Sequence, residues 1–133
     1  MESNATLSFV PTIILASDAD RVYNEVAAAV NENHTLLRVH AGSDVAPAVA
    51  EYNPLLVILD LQIGNMGGIA TCLDLRLEQR AGRLPTQPII MLLDRVADIW
   101  LAEQAEIEKW LVKPIDPLEM SRTITDLLVP KNL

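Results

Sequence analysis

LLVILDLQIGNMGG, Leu55 to Gly68, is the stretch whose reading decides the fold. It runs apolar without a break from Leu55 to Leu59, meets one carboxylate at Asp60, and then loosens into a segment holding Gly64, Gly67 and Gly68. A strand buried on one face alternates apolar and polar side chains. An unbroken run predicts a strand covered on both faces, as at the centre of a parallel sheet. Asp60 then falls at the strand's carboxyl end. In open α/β sheets ligands bind at that edge, because its loops carry few packing duties and helix N-termini face the gap. A lone aspartate there is a candidate functional group.

Outward from this strand the chain alternates. Upstream, Pro11 to Ser17 (PTIILAS) is predicted as a first buried strand and Asp18 to Asp20 as the turn after it. Val22, Val26, Ala29 and Val30 recur at helical spacing up to a break at Asn31 to Asn33, with Asp20 placed to cap that helix. Thr35 to His40 is a second strand. Gly42-Ser43 leads into a helix holding Val45, Val49 and Tyr52, with Pro47 in its first turn or so, where a missing N–H costs little.

Downstream, Ile69, Leu73 and Leu77 line one apolar face of a third helix, with Cys72 beside them. The polar segment Glu78 to Gln87 closes it, punctuated by Gly82 and Pro85. Pro88 to Leu93 (PIIMLL) is a fourth buried strand. A fourth helix, about Arg95 to Glu106, carries Val96, Ile99 and Trp100, and Lys109 to Val112 is a short fifth strand. Asp116-Pro-Leu-Glu119 opens the last helix with an N-cap, a proline at the first helical position and a glutamate three residues after the cap. Met120, Ile124 and Leu127 are its inward stripe. Strict βα alternation with right-handed crossovers implies one α/β domain, a doubly wound parallel sheet with helices on both faces.

Composition narrows the function. The 133 residues suit a single domain, spanning 1–133, and 50% hydrophobic content is enough for one sizeable core. A net charge of −8 argues against nucleic acid and anionic lipid as partners, since both reward clustered Lys and Arg. No run of ~20 apolar residues could span a membrane, and MESNATLSFVP lacks the basic start and apolar core of a secretory signal. The expectation is a soluble, cytoplasmic protein with no separate output module. Cys72, the single cysteine, is expected to be a buried small hydrophobe.

Three polar features end strands one, three and five: Asp18, Asp60 and Lys113-Pro114. In a doubly wound five-stranded parallel sheet these strands finish on the same side, so two carboxylates and an ammonium converge on one edge. That arrangement resembles the receiver domain of bacterial response regulators, over about Thr12 to Leu128. LLVILDLQIGNMGG is similar to the family's phosphoacceptor segment, an aspartate followed by a short loop and a closing glycine, here Gly68. WLVKP, Trp110 to Pro114, resembles the segment with the site lysine and a proline joined to it by a cis peptide.

The resemblance implies a flavodoxin-like sheet of strand order 2-1-3-4-5, with Asp60 as phosphoacceptor. It implies Mg²⁺ held by Asp18, Asp60 and the backbone carbonyl of Gln62, and a phosphate-binding role for Lys113. Such residue types suit the chemistry. A carboxylate attacks a phosphoryl group once a divalent ion neutralises the phosphate oxygens, Mg²⁺ prefers hard oxygen ligands, and an ammonium stabilises the transferring group. The implied phosphodonor is a sensor histidine kinase or a histidine phosphotransfer protein. The implied contact face, from helix four, strand five and helix five, carries Trp100, Trp110, Glu103, Glu106 and Glu108, which favours a protein partner bearing Arg or Lys.

The sequence also departs from the family. Two adjacent acids usually follow the first strand, whereas Ser17-Asp18 keeps only the second, the one resembling the direct metal ligand; Ser17 retains a hydroxyl that can hold a water. Leu93 stands where the family has the Thr or Ser that follows the phosphoryl group, and Trp110 where it has the coupled Tyr or Phe, so these switch positions are atypical. Asp94 replaces a small residue and is expected either at the pocket rim, in the metal's outer shell or repelling a phosphodonor, or as a cap for helix four. Gly64 and Glu106 replace a frequent proline and a frequent glycine.

Two readings follow. In one, the chain is a single-domain receiver phosphorylated on Asp60 and signalling by protein contacts, with no enzymatic role beyond its own phosphorylation and dephosphorylation. In the other, it is an adaptor of the same fold that docks regardless of phosphorylation. A flavin or cobalamin binder is disfavoured, because the loop after strand one is acidic where a phosphate cradle is needed, and His34 and His40 flank or end strand two.

Overall fold

The computed structural model describes residues 10–129. Strands β1 (Thr12–Ala16), β2 (Thr35–Val39), β3 (Leu56–Asp60), β4 (Ile89–Leu93) and β5 (Lys109–Val112) form one parallel sheet in the order β2-β1-β3-β4-β5. Helices α1 (Asp20–Ala27), α2 (Val45–Tyr52), α3 (Gly68–Arg80), α4 (Ile99–Gln104) and α5 (Pro117–Leu128) alternate with them, and single 3-10 turns at Gly42–Asp44 and Val96–Asp98 lead into α2 and α4. The expected doubly wound 2-1-3-4-5 sheet is present.

The unbroken apolar runs are explained by helices on both sides. Successive side chains of a strand point to opposite faces. On one face Ala16, Leu59, Met91 and Leu93 pack under Val49 of α2, Cys72 and Leu75 of α3 and Ala102 of α4. On the other, Leu15, Ile58, Leu92 and Leu111 pack under Val22 and Val26 of α1 and Met120 and Ile124 of α5. Every residue of β3 and β4 is buried. Asp116 caps α5 as expected, its carboxylate accepting the Leu118 N–H at 3.2 Å.

Three local expectations are corrected. Asp20 does not cap α1. It is the first helical residue, the capping position falls on Ala19, and the Asp20 carboxylate instead takes Arg38 of β2 at 2.9 Å. In α3, Leu73 and Leu77 face outward, 54% and 59% exposed, while Thr71, Cys72 and Leu75 are buried. Both stripes satisfy a 3.6-residue period, and Gly68 selects between them. A Cβ there would lie 2.6 Å from the Asp60 carbonyl oxygen and 3.1 Å from Met91 Sδ, so the helix start is pressed onto the strand ends and the residues three, four and seven positions on turn inward. The fourth helix is shorter than predicted, and Asp98 and Ala102 are buried where Val96 and Trp100 are exposed. Asp98 also performs the capping, accepting the Arg95 N–H at 3.0 Å, so Asp94 has no such duty.

Candidate functional site

The parallel registers bring Ala16 beside Leu59, Asp60 beside Leu92 and Leu93 beside Val112. The ends of β1, β3, β4 and β5 therefore finish together, and the residues just past them share one edge. Asp60 lies at the centre with its side chain 1% exposed. One carboxylate oxygen, Oδ1, accepts from Lys113 Nζ at 2.5 Å and from the Gln62 backbone N–H at 3.0 Å. The other, Oδ2, accepts from the Ser17 hydroxyl at 2.8 Å. Ser17 is itself buried and takes the Ala19 N–H at 3.2 Å, so its proton is directed at Asp60. A buried carboxylate needs such partners, because unpaired it would lose its solvation without compensation.

Lys113 is positioned by backbone before side chain. Its N–H continues the sheet by donating to the Leu93 carbonyl at 2.8 Å, and the Lys113–Pro114 peptide is cis, as the resemblance implied. Its ammonium makes a second contact, to Asp94 Oδ1 at 2.8 Å. Burial works to lower the Lys113 pKa, but its bonds to Asp60 and Asp94 and their charges outweigh it, and the value is raised. For Asp94, burial works upward and is outweighed by bonds from Lys113 and Gln62 and the charges of Lys113 and Arg95, which hold its carboxyl below the ordinary value. A shallow cavity of about 260 Å³ touches Lys113 but is otherwise lined by Arg21, Val22, Glu25 and Pro114, so it lies beside the acceptor.

The structure thus joins Asp60, Lys113, Ser17, Asp94 and the Gln62 amide. It does not join Asp18, whose side chain is 69% exposed and lies 3.2 Å from His40 Nδ1. His40, which the sequence places only at the end of strand two, and Arg38, which the sequence reading passed over, shape this loop; the Arg38 Nε donates to the Ser17 carbonyl at 3.0 Å while the guanidinium lies over Tyr23. A cation inside the apolar strand TLLRV, next to an acidic loop, was the available signal. Thr71 was also missed; its hydroxyl donates to the Met66 carbonyl at 2.8 Å and ties the loop after Asp60 to α3.

The atypical switch positions carry no hydroxyl. Leu93 is fully buried, and Trp110, half-buried, packs against the same core layer. On the expected contact face Trp100 is 62% exposed and Glu103 is exposed. Glu106 pairs instead with Arg80 at 3.1 Å, and Glu108 is gripped by Arg76 and the Ile89 N–H, so neither is a free acid on that face.

No family model matches the sequence. Curated relatives do. The chain is 31% identical over 97 residues to the sensory/regulatory protein RpfC of Xanthomonas campestris, covering 72% of this chain and 13% of that protein. It is 30% identical over 111 residues to the DNA-binding response regulator MtrA of Mycobacterium tuberculosis, covering 80% of this chain and 46% of MtrA. The chain therefore spans less than half the length of these relatives. Among solved structures, the N-terminal signal receiver domain of a two-component response regulator from Bacteroides fragilis superposes with a TM-score of 0.75 at 20% identity, covering 92% of this chain and all of that one. The chemotaxis response regulator CheY4 of Vibrio cholerae superposes with a TM-score of 0.77 at 16% identity over 90% of this chain.

Proposed function

The chain is a receiver domain of the response-regulator kind, and from that premise we propose that it accepts a phosphoryl group on Asp60 in a Mg²⁺-dependent reaction and signals through protein contacts. The observation that carries this reading is the buried Asp60 carboxylate held between the Ser17 hydroxyl and the Lys113 ammonium. Asp60 acts as nucleophile, and Lys113 compensates charge as a second anion approaches. Ser17 and the Gln62 amide fix the carboxylate's orientation. The residue types suit a hard divalent ion: Asp60 offers a carboxylate, the Gln62 carbonyl follows in the same loop, and Asp18, solvent-exposed and turned toward His40 on the adjacent strand end, would leave His40 to join them. When bound, Mg²⁺ supplies neutralisation of the phosphoryl oxygens.

The phosphodonor on this reading is a sensor histidine kinase or a histidine phosphotransfer protein, and the downstream protein meets the face bearing Trp100, Glu103 and Trp110. With a net charge of −8, nucleic acid is a poor direct partner. No helix of the described residues is long and apolar enough to cross a membrane. The burial of Leu93 favours a second reading, an adaptor whose docking does not depend on phosphorylation, because no hydroxyl at that position can follow the phosphoryl group.

Intact-mass analysis after incubation with Mg²⁺ and acetyl phosphate tests the first reading. The expected result is one phosphoryl adduct that is absent in Asp60→Asn and lost on chelation. No adduct with acetyl phosphate or with phosphorylated kinases leaves the adaptor.

A further inference from the structure

We propose that Asp94 is an internal competitor for Lys113, a carboxylate that occupies the ammonium at the mouth of the site and slows its engagement with an incoming phosphoryl group. The inference rests on Asp60 being the phosphoacceptor.

Lys113 Nζ carries three N–H bonds. Two are taken at rest, by Asp60 Oδ1 at 2.5 Å and Asp94 Oδ1 at 2.8 Å. The two carboxylates differ in setting. Asp60 is at the bottom of the site with its side chain 1% exposed, while Asp94, 30% exposed, stands at the rim. Asp94 is bound to this place because it follows Leu93 directly, and the Leu93 carbonyl accepts the Lys113 N–H. The same backbone contact that docks Lys113 therefore presents Asp94 to its ammonium. The one further side-chain partner of Asp94 is Gln62, and it caps no helix, since Asp98 caps the turn that follows.

The consequence concerns a dianionic donor. For acetyl phosphate, an Asp60 oxygen forms the new bond to phosphorus, the phosphorus–oxygen bond to acetate breaks, and acetate leaves with the electron pair; no proton need move. As the phosphoryl oxygens arrive, Lys113 has only its third N–H to offer them, and its charge is already shared between Asp60 and Asp94. Asp94 opposes their approach twice, by drawing the ammonium toward itself and by adding a negative charge at the entrance.

Rates of mass gain with acetyl phosphate and Mg²⁺ test this in the native chain, Asp94→Asn, Asp94→Ala and Asp94→Glu, with Asp60→Asn as the blank. Asp94→Asn and Asp94→Ala are expected to label about tenfold faster, a margin that shrinks as ionic strength rises. Asp94→Glu restores the carboxylate and is expected to label near the native rate, which a purely structural role for Asp94 would not require. Equal rates in native chain, Asp94→Asn and Asp94→Ala, with the label on Asp60, overturn the competitor and leave the phosphoacceptor standing. Absence of label in every chain overturns the phosphoacceptor reading, and the competitor with it.

Discussion

Two neighbouring parts of the same sheet edge are built on opposite principles. At the corner where β1, β3, β4 and β5 finish, Ser17, Asp60, Lys113 and Asp94 form one connected chain of hydrogen bonds. Just beneath it, Leu93 at the end of β4 and Trp110 within β5 put apolar side chains into the core layer. The corner carries charge in a fixed arrangement; the β4–β5 arm carries packing. A signal arising at Asp60 can reach the arm only through contacts that change with its state, and a buried leucine has no polar bond to exchange.

The strongest way to break this contrast is to remove the cation from the corner. Lys113→Met keeps much of the side-chain length but leaves Asp60 buried with only the Ser17 hydroxyl and the Gln62 amide. Breaking one side of a buried ion pair costs several kcal/mol, and because Lys113 is 20% exposed the lower end applies, about 3 kcal/mol. Urea unfolding at neutral pH measures it. A loss under about 0.5 kcal/mol, the range of ordinary surface substitutions, would mean the corner is not held by this pair.

The arm is probed by putting there what the corner has. Leu93→Thr introduces a hydroxyl among Met91, Cys72 and Trp110 and removes buried apolar volume, so a loss of about 2 kcal/mol is expected. Unfolding measurements check the cost, and Trp110 fluorescence with and without Mg²⁺ and fluoroberyllate checks the coupling. If native Trp110 emission already responds as much as that of Leu93→Thr, the arm is not silent and the contrast fails.

Much of this plan was legible in the chain. Three unbroken apolar runs, with two shorter ones that each carry a cation, separated by helical periods, specify the sheet, because a parallel strand covered on both faces has little alternative reading. Asp60 and Lys113 were legible because each directly ends or follows such a run. The face of α3 was not, since Ile69-Leu73-Leu77 and Cys72-Leu75 both satisfy the helical period and the choice is made by the contact of Gly68 with Asp60 and Met91 on other elements. Asp94 was legible as a rim carboxylate, but its grip on Lys113 depends on the β4–β5 register. Asp18 was legible as an acid at the end of β1, whereas its turn toward His40, outside the Asp60 network, is a contact between loops of different strands.

The smallest effect sharpens the comparison by asking whether arm and corner are energetically separate. Glu106 follows α4 with φ of 57°, the left-handed region, where its Cβ crowds the backbone. That conformation costs a non-glycine residue ~1–2 kcal/mol, and glycine's extra freedom in the unfolded chain returns ~0.4–1 kcal/mol of the benefit of replacing it. The contact of its carboxylate with Arg80 is between exposed groups and contributes little. Glu106→Gly is therefore expected to stabilise the domain by about 0.5–1 kcal/mol. Glu106 precedes β5 and Lys113 follows it, so the two lie at opposite ends of the strand. If they are independent, the gain measured by urea unfolding is the same in the native chain and in Lys113→Met, within about 0.5 kcal/mol. A gain that vanishes or doubles in Lys113→Met would show that strain at the end of α4 is set by the charge state of the corner, and that a path between them exists which does not pass through a hydroxyl at position 93.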